Sequence, residues 1–249
     1  MIRRLLSVLW PPVLLVVCWQ VWIATGDLNR IVVVSPGAVV RDLVMSPGVY
    51  LQPTAQTLGF AVAGLLCGMM AGMMLAVAAW WSAAVAGMVT PVALCLAATP
   101  VVCLLPIAVR IFGYSSRTEL VVVGIMTLFP SFIYGAAGLR DLPAMAPRLF
   151  RVLDATRWQR LRLLALPAAA PSLMTGLRVG ATYSVLVTLM AEYLMQTGGL
   201  GTLFAVTLQQ FHMARALGAS VVAMALSVAL FEVTRWMELR VVARFQAGR

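Results

Sequence analysis

Ser184, Thr188 and Glu192 recur at four-residue intervals through a stretch that is otherwise almost wholly apolar. On a helix that spacing gathers two hydroxyls and a carboxylate on one face, a set able to hydrogen-bond a passing solute or hand on a proton. Arg178 and Thr182 extend the stripe toward one end on a broader face. Arg178 and Glu192 are 14 residues apart, about 21 Å along a helix, too far to pair with each other. A second set, Thr99, Cys103 and Arg110, shares roughly one face of a segment punctuated by Pro91, Pro100 and Pro106. Each proline removes a backbone donor, and the freed carbonyl needs a neighbouring helix or a wet cavity. Interrupted helices of this kind border pathways in transporters. Thr99, Pro100, Arg110, Arg178, Thr182, Ser184, Thr188 and Glu192 are therefore the candidate path-lining residues.

Hydrolytic or redox chemistry finds little to work with. His212 is the only histidine and has no companion at metal-ligand spacing, so no metal site is assigned. Cys18, Cys67, Cys95 and Cys103 all fall in apolar runs without CxxC spacing and read as small buried hydrophobes. An enzyme within the membrane would need a nucleophile with its base, or a metal cluster. Neither is present in the pattern, and no catalytic residue is expected.

The elements that must hold these residues follow from composition. The chain has 249 residues, 62% hydrophobic and 10% charged, against about a quarter charged in soluble domains. Between Asp42 and Arg110 lie 67 residues without a charge, where one bilayer crossing needs about 20. The fold class is an all-α polytopic membrane protein with about six transmembrane helices, near 5–24, 56–80, 84–109, 119–138, 173–193 and 214–233. The run Leu5 to Ala24 followed by Thr25-Gly26 has the outline of a signal peptide. Its length suffices to cross a bilayer, so a retained first helix is expected. Residues 1–54 then hold that helix and an outer loop, residues 55–240 the main transmembrane domain, and residues 241–249 a tail.

Six crossings put both termini on one side. That arrangement places twelve arginines there, from Arg3 and Arg4 through the segments 140–162 and 235–249, against five (Arg30, Arg41, Arg110, Arg117 and Arg215) on the other. The excess marks the twelve-arginine side as cytoplasmic, and it accounts for the net charge of +10 without a nucleic-acid partner. Ser35-Pro36-Gly37 and Ser46-Pro47-Gly48 read as turns of the outer loop. Gly64, Gly68 and Gly72 form a smooth strip for close helix packing. No segment outside the spans exceeds about 30 residues, too short for an independent core.

The longest inner segment, about 139–171, lies between spans four and five. Pro143 and Pro147 open it, and Pro167 is expected to stop its helix. Asp154 and Thr156 are N-cap candidates, which predicts two short helices joined near Ala155. Trp158, Leu161, Leu164 and Ala165 share one side of the second piece, with arginines elsewhere. That composition suits either a lipid headgroup surface or a protein dock.

The order of motifs chooses between them. Asp154-Ala-Thr-Arg-Trp-Gln159, Leu166-Pro-Ala-Ala-Ala-Pro-Ser-Leu-Met-Thr-Gly-Leu-Arg178, and Ala191-Glu192 followed by Gly198-Gly-Leu-Gly201 resemble the permease subunits of ATP-binding-cassette importers. The nearest likeness is to the subgroup for nitrate, taurine, aliphatic sulfonates and related solutes. Ser35-Pro36, Gly59-Phe60, Thr99-Pro100, Leu105-Pro106, Phe112-Gly113 and Thr127-Leu-Phe-Pro130 agree with it, so that it covers about residues 33–242. The resemblance implies a cytoplasmic coupling helix formed by Asp154, Ala155, Thr156, Arg157, Trp158 and Gln159, with Leu166 and Pro167 closing its motif. It also implies two ATPase subunits that carry ATP and Mg, a second permease copy or paralogue, and an extracytoplasmic substrate-binding protein. The chain itself would bear no cofactor and sit in a prokaryotic inner membrane with both termini cytoplasmic. Counted back from Leu166-Pro167, Asp154 stands at the motif's glycine, Arg148 at its acidic start, and Leu149 and Phe150 at its alanines. A stand-alone transporter or channel driven by an ion gradient is the alternative; the absence of a visible inverted repeat argues against it.

Overall fold

The structure, a computed structural model, describes residues 2–25 and 34–246. The expected outer position of Arg30, the inner positions of the Arg3, Arg4 and Arg249 side chains, and the tail over 247–249 lie outside the described residues. Every regular element among the described residues is helical.

α1 (Ile2–Thr25) is a helix of 24 residues and touches α2 (Pro36–Met45). Ser35 caps α2, its Oγ accepting the Ala38 N–H at 3.3 Å, and Pro36 takes a first-turn position. Pro47 likewise takes a first-turn position in α3 (Pro47–Trp81), though Ser46 before it makes no side-chain cap. The two Ser-Pro pairs are thus helix starts, not turns of an open loop. Proline fits a first turn, where its missing N–H would have no partner anyway. The segment expected as loop is largely helical, and α3 begins at Pro47 instead of near 56.

The third expected span is broken. α4 (Ala83–Ala97) and α5 (Val101–Phe112) meet at an angle of 106°. Proline disfavours helical backbone in the residue before it, and Pro100, extended at φ −60° and ψ 133°, starts α5 afresh. α6 (Ser116–Arg140) follows, then two short helices, α7 (Ala146–Val152) and α8 (Arg157–Arg160). α9 (Leu166–Met195), α10 (Gly199–Gln209) and α11 (Met213–Gln246) complete the chain. Four helices are individually long and apolar enough to cross a membrane, and the bent α4–α5 pair supplies a fifth. The sixth expected crossing falls on α1, part of which lies outside the described side chains.

α3 and α6 run parallel and in step along the glycine strip. A Cβ on Gly64 would strike Val123, one on Gly68 would come within 2.8 Å of the Leu128 nitrogen, and one on Gly72 within 2.7 Å of Ser131 Cβ. Advancing four residues on both helices keeps the strip in register, so backbone meets backbone along the seam. Thr127 donates across it to the Gly64 carbonyl at 3.0 Å. α9 lies antiparallel to α6, with Gly138 against Ala169 and Ser172, and Gly176 against Tyr134. Phe132, Leu139, Leu161 and Ala169 close the core between them. The four cysteines are exposed, not buried as expected. In a bilayer the outward faces are as apolar as the core, so an apolar run does not predict burial.

Candidate functional site

The segment after α6 is a bounded knob. α7 ends with Asp154 at φ 51°, and around it Asp154 N–H donates to the Arg151 carbonyl at 3.1 Å and Ala155 N–H to Phe150 at 3.0 Å. These two bonds are the Schellman pattern, whose left-handed residue is ordinarily glycine. Aspartate takes that conformation more readily than most residues. Thr156 then caps α8: its Oγ1 accepts the Gln159 N–H at 3.3 Å, while Gln159 Oε1 accepts the Thr156 N–H at 2.8 Å. This reciprocal capping box fixes the helix start. Of the expected coupling residues, Asp154, Thr156, Arg157, Trp158 and Gln159 are exposed and Ala155 is half-buried.

Pro167 does not stop the helix. α8 widens into a π turn over Leu161–Ala165 and passes without interruption into α9, so residues 157–195 form one helix. Leu166 and Pro167, both half-buried, lie in the first turn of α9. A wide turn relaxes the i to i−4 pattern just where proline cannot donate, and such turns recur at functional positions. Leu161 and Ala165 are buried against the core and anchor the knob.

The expected path residues fall into three places. Thr99 is half-buried and Pro100 exposed at the α4–α5 break, and Arg110 is exposed in the last turn of α5. Arg178 reaches α11, pairing with Glu238 at 3.0 Å and lying over Phe231, and Thr182 remains exposed. Ser184, Thr188 and Glu192 are buried inside the bundle, so the stripe of three does not face outward.

Glu192 sits in a polar node at the end of the bundle away from the knob. Thr57 of α3 donates to its Oε1 at 2.8 Å, and the Gly201 N–H of α10 to its Oε2 at 2.9 Å. Thr57 Oγ1 also lies 2.9 Å from the Leu200 N–H and accepts from it. Gln56 accepts the Gly199 N–H at 3.0 Å. The carboxylate thereby satisfies the start of α10, where free N–H groups favour a negative charge. Gly199, at φ 78°, leaves no room for a Cβ beside the Glu192 carboxylate. Glu119 of α6, also buried, accepts from Thr197 at 3.1 Å. Sequence reasoning found the Glu192 and Gly198–Gly201 pairing of motifs but had no signal for Gln56, Thr57 or Glu119.

A second cluster at the same end was likewise missed. Arg215 of α11 forks onto Asp42 of α2, at 3.1 Å to Oδ1 and 3.3 Å to Oδ2, and Tyr50 donates to the same carboxylate. Burial pushes the Asp42 carboxyl up, but the bonds from Arg215 and Tyr50 outweigh it and hold the group below its ordinary value. Between α9, α10 and α11 runs an open groove of about 420 Å³, lined by residues that include Leu186, Tyr193, Phe204, Ser220 and Met224, with no charged side chain.

Three relatives and one solved structure place this architecture. The chain is 29% identical over 163 residues to the formylaminopyrimidine transport permease protein ThiX of Halalkalibacterium halodurans, covering 66% of this chain and 65% of that protein. It is 25% identical to a probable ABC transporter permease protein of Haemophilus influenzae, covering 94% and 96%. It is 24% identical to the putative aliphatic sulfonates transport permease protein SsuC of Bacillus subtilis, covering 76% and 70%. A structure of inward-facing MetNI methionine ABC transporter shares the fold, with a TM-score of 0.57 at 19% identity over 84% of this chain and 96% of that one. Residues 64–245 match the model of the binding-protein-dependent transport system inner membrane component, and the chain belongs to that family, the permease subunits of ABC importers.

Proposed function

We propose that this chain is one of two permease halves enclosing the path of a small solute, driven by two cytoplasmic ATPase subunits and supplied by an extracytoplasmic binding protein. ATP and Mg belong to the ATPases. The observation that carries the reading is the unbroken helix from Arg157 to Met195. It joins an exposed knob at one end to the Glu192 node at the other. At about 1.5 Å per residue it is longer than the bilayer is thick, so displacement of the knob reaches the far end through one continuous helix, whose two weak points are the π turn and Pro171. An ATPase that grips the knob in one nucleotide state biases a bistable bundle.

The path runs along the exposed flank of α9, past Thr182, Leu186 and Tyr193, where the second permease completes it. Ser184, Thr188 and Glu192 keep the flank rigid from behind. Solutes of the relatives, a formylaminopyrimidine for ThiX and aliphatic sulfonates for SsuC, define the panel to offer, with taurine and nitrate added. Proteoliposomes holding this chain, its second permease and its ATPase test the reading. Trp158→Ala or Asp154→Arg is expected to abolish uptake while ATP hydrolysis and membrane insertion persist. Unchanged uptake in both variants would refute the coupling role of the knob, and uptake without any ATPase would point to the ion-driven alternative.

A further inference from the structure

We infer that the ATPase surface receiving α7 and α8 is acidic, and that one of its carboxylates completes Arg160. This rests on the importer reading above. From Ala146 to Ala165 the chain carries five arginines, Arg148, Arg151, Arg157, Arg160 and Arg162, and a single carboxylate, Asp154. Among the described residues none of the five pairs with a carboxylate; Arg151 reaches only the Pro147 carbonyl, at 3.4 Å. By contrast Arg178, Arg215 and Arg235 elsewhere each hold a carboxylate within 3.2 Å. Among the described residues the knob's positive charge is therefore left without a carboxylate partner.

Arg160 makes the point locally. Its Nε is enclosed and has no hydrogen-bond acceptor among the described residues. An enclosed guanidinium nitrogen left unpaired is costly, so the side chain gains by turning outward to an acceptor on whatever covers the knob. A carboxylate is the best match, because it takes two guanidinium N–H groups at once.

The shape selects a protein over the lipid surface. Lipid headgroups favour a continuous amphipathic helix lying in the interface plane. Here α7 has only seven residues, the left-handed Asp154 ends it, and Arg157 already opens the long helix that runs to Met195, so no single continuous helix carries the arginines. Large apolar side chains are interleaved with the arginines on this bend: Val152 is 84% exposed, Leu153 65% and Trp158 58%. A bent knob with a tryptophan anchor and an arginine rim fits a cleft in a partner, where such residues carry most of the binding energy.

The test uses the full chain, affinity-tagged and purified from its own membranes with the ATPase that accompanies it, identified by mass spectrometry and by ATP hydrolysis. Retained ATPase is measured against sodium chloride from 50 to 500 mM, for the wild type, for Arg148→Glu/Arg151→Glu/Arg157→Glu, for the same three positions as Lys, and for Arg160→Lys. Size-exclusion profiles confirm that each variant is folded. The Glu triple variant is expected to lose at least about tenfold of the retained ATPase, since like charges across an interface are strongly unfavourable. The Lys triple variant should keep most of it, Arg160→Lys should lose a measurable share, and salt should weaken the wild type. A Glu triple variant that holds the ATPase like the wild type overturns the inference while leaving the importer reading intact. The same holds if retention depends instead on phosphatidylglycerol over pure phosphatidylcholine nanodiscs, which would assign the arginines to the membrane. A wild type that carries no ATPase overturns both.

Discussion

Replacing Asp154 by valine isolates one backbone angle. Asp154 is exposed, no hydrogen bond to its side chain is found among the described residues, and its φ is 51°. The substitution thus removes no packing and changes mainly the strain of a left-handed residue. For L residues that conformation costs roughly 1–2 kcal/mol, and aspartate avoids part of it through its short polar side chain. Valine, branched at Cβ, meets the cost in full, so the turn should lose about 1–2 kcal/mol. At 1.4 kcal/mol per decade this is a fall of about 5- to 30-fold in the closed-to-open ratio of the turn. The reporter is the Ala155 amide, which is held by the Phe150 carbonyl at 3.0 Å. Hydrogen exchange over residues 150–160 should show protection lower by that factor, and Asp154→Gly should equal or exceed the wild type. Asp154→Asn serves as the control for loss of charge and should change little. Equal protection in the valine and wild-type proteins would refute the claim that this residue's conformation holds the knob's shape.

Gly68→Ala forces a Cβ onto the Leu128 nitrogen of a facing backbone and should lower stability by about 1–3 kcal/mol, read as a reduced unfolding midpoint in detergent. Gly124→Ala, whose nearest neighbour would be 3.9 Å away, should be tolerated in the same assay. Glu192→Gln retains an oxygen for the Gly201 N–H and should keep most uptake, whereas Glu192→Ala leaves the start of α10 open and should lose the folded protein. A strong uptake defect in a stably folded glutamine variant would favour a proton relay. At the α2 clasp, Asp42 sits below its ordinary value of 3.8. Its stabilising contribution is therefore fully present above about pH 3.8 and is lost as pH falls through the lower folded value. Asp42→Asn should flatten the dependence of the thermal midpoint on pH below 4 while leaving a lower midpoint at pH 7.

What the sequence made legible has a physical pattern. Apolar run length located most of the membrane helices, and glycine spacing marked the close-packing face of α3 without naming its partner, because each is a local property with one dominant cause. The break near Ala155 and the cap at Thr156 were equally local, although the helix that starts there runs on to Met195 instead of ending early. Pro167 misled because the wide turn over Leu161–Ala165 carries the helix past a residue that cannot donate, and no local pattern announces such a turn. The two Ser-Pro pairs misled for another reason, that proline is compatible with the first turn of a helix as well as with a loop. The cysteines misled because hydrophobicity predicts burial only when the surroundings are water. Ser184, Thr188 and Glu192 share a face, as their spacing required, but spacing cannot say whether the face meets a path or another helix. That depends on Thr57, 135 positions away in the chain, and no local pattern announces such a partner.

The Glu192 node gives the long helix something to act on. A lever transmits motion only if its far end is attached, and an exposed helix end would swing freely. Here the α9 end is bonded to α3 through Thr57 and to the start of α10 through Gly201. α10 in turn forms one wall of the groove beside Tyr193 and Phe204. A shift of α9 along or about its axis therefore cannot leave α10 in place without breaking bonds to a buried carboxylate, which is costly. The cheaper response is for α10 and the groove wall to move with it. In this view the sharing of Glu192 by three elements matters more than its charge. In the importer cycle proposed above, it would tie the end of the bundle remote from the knob to the knob itself through groups buried from solvent.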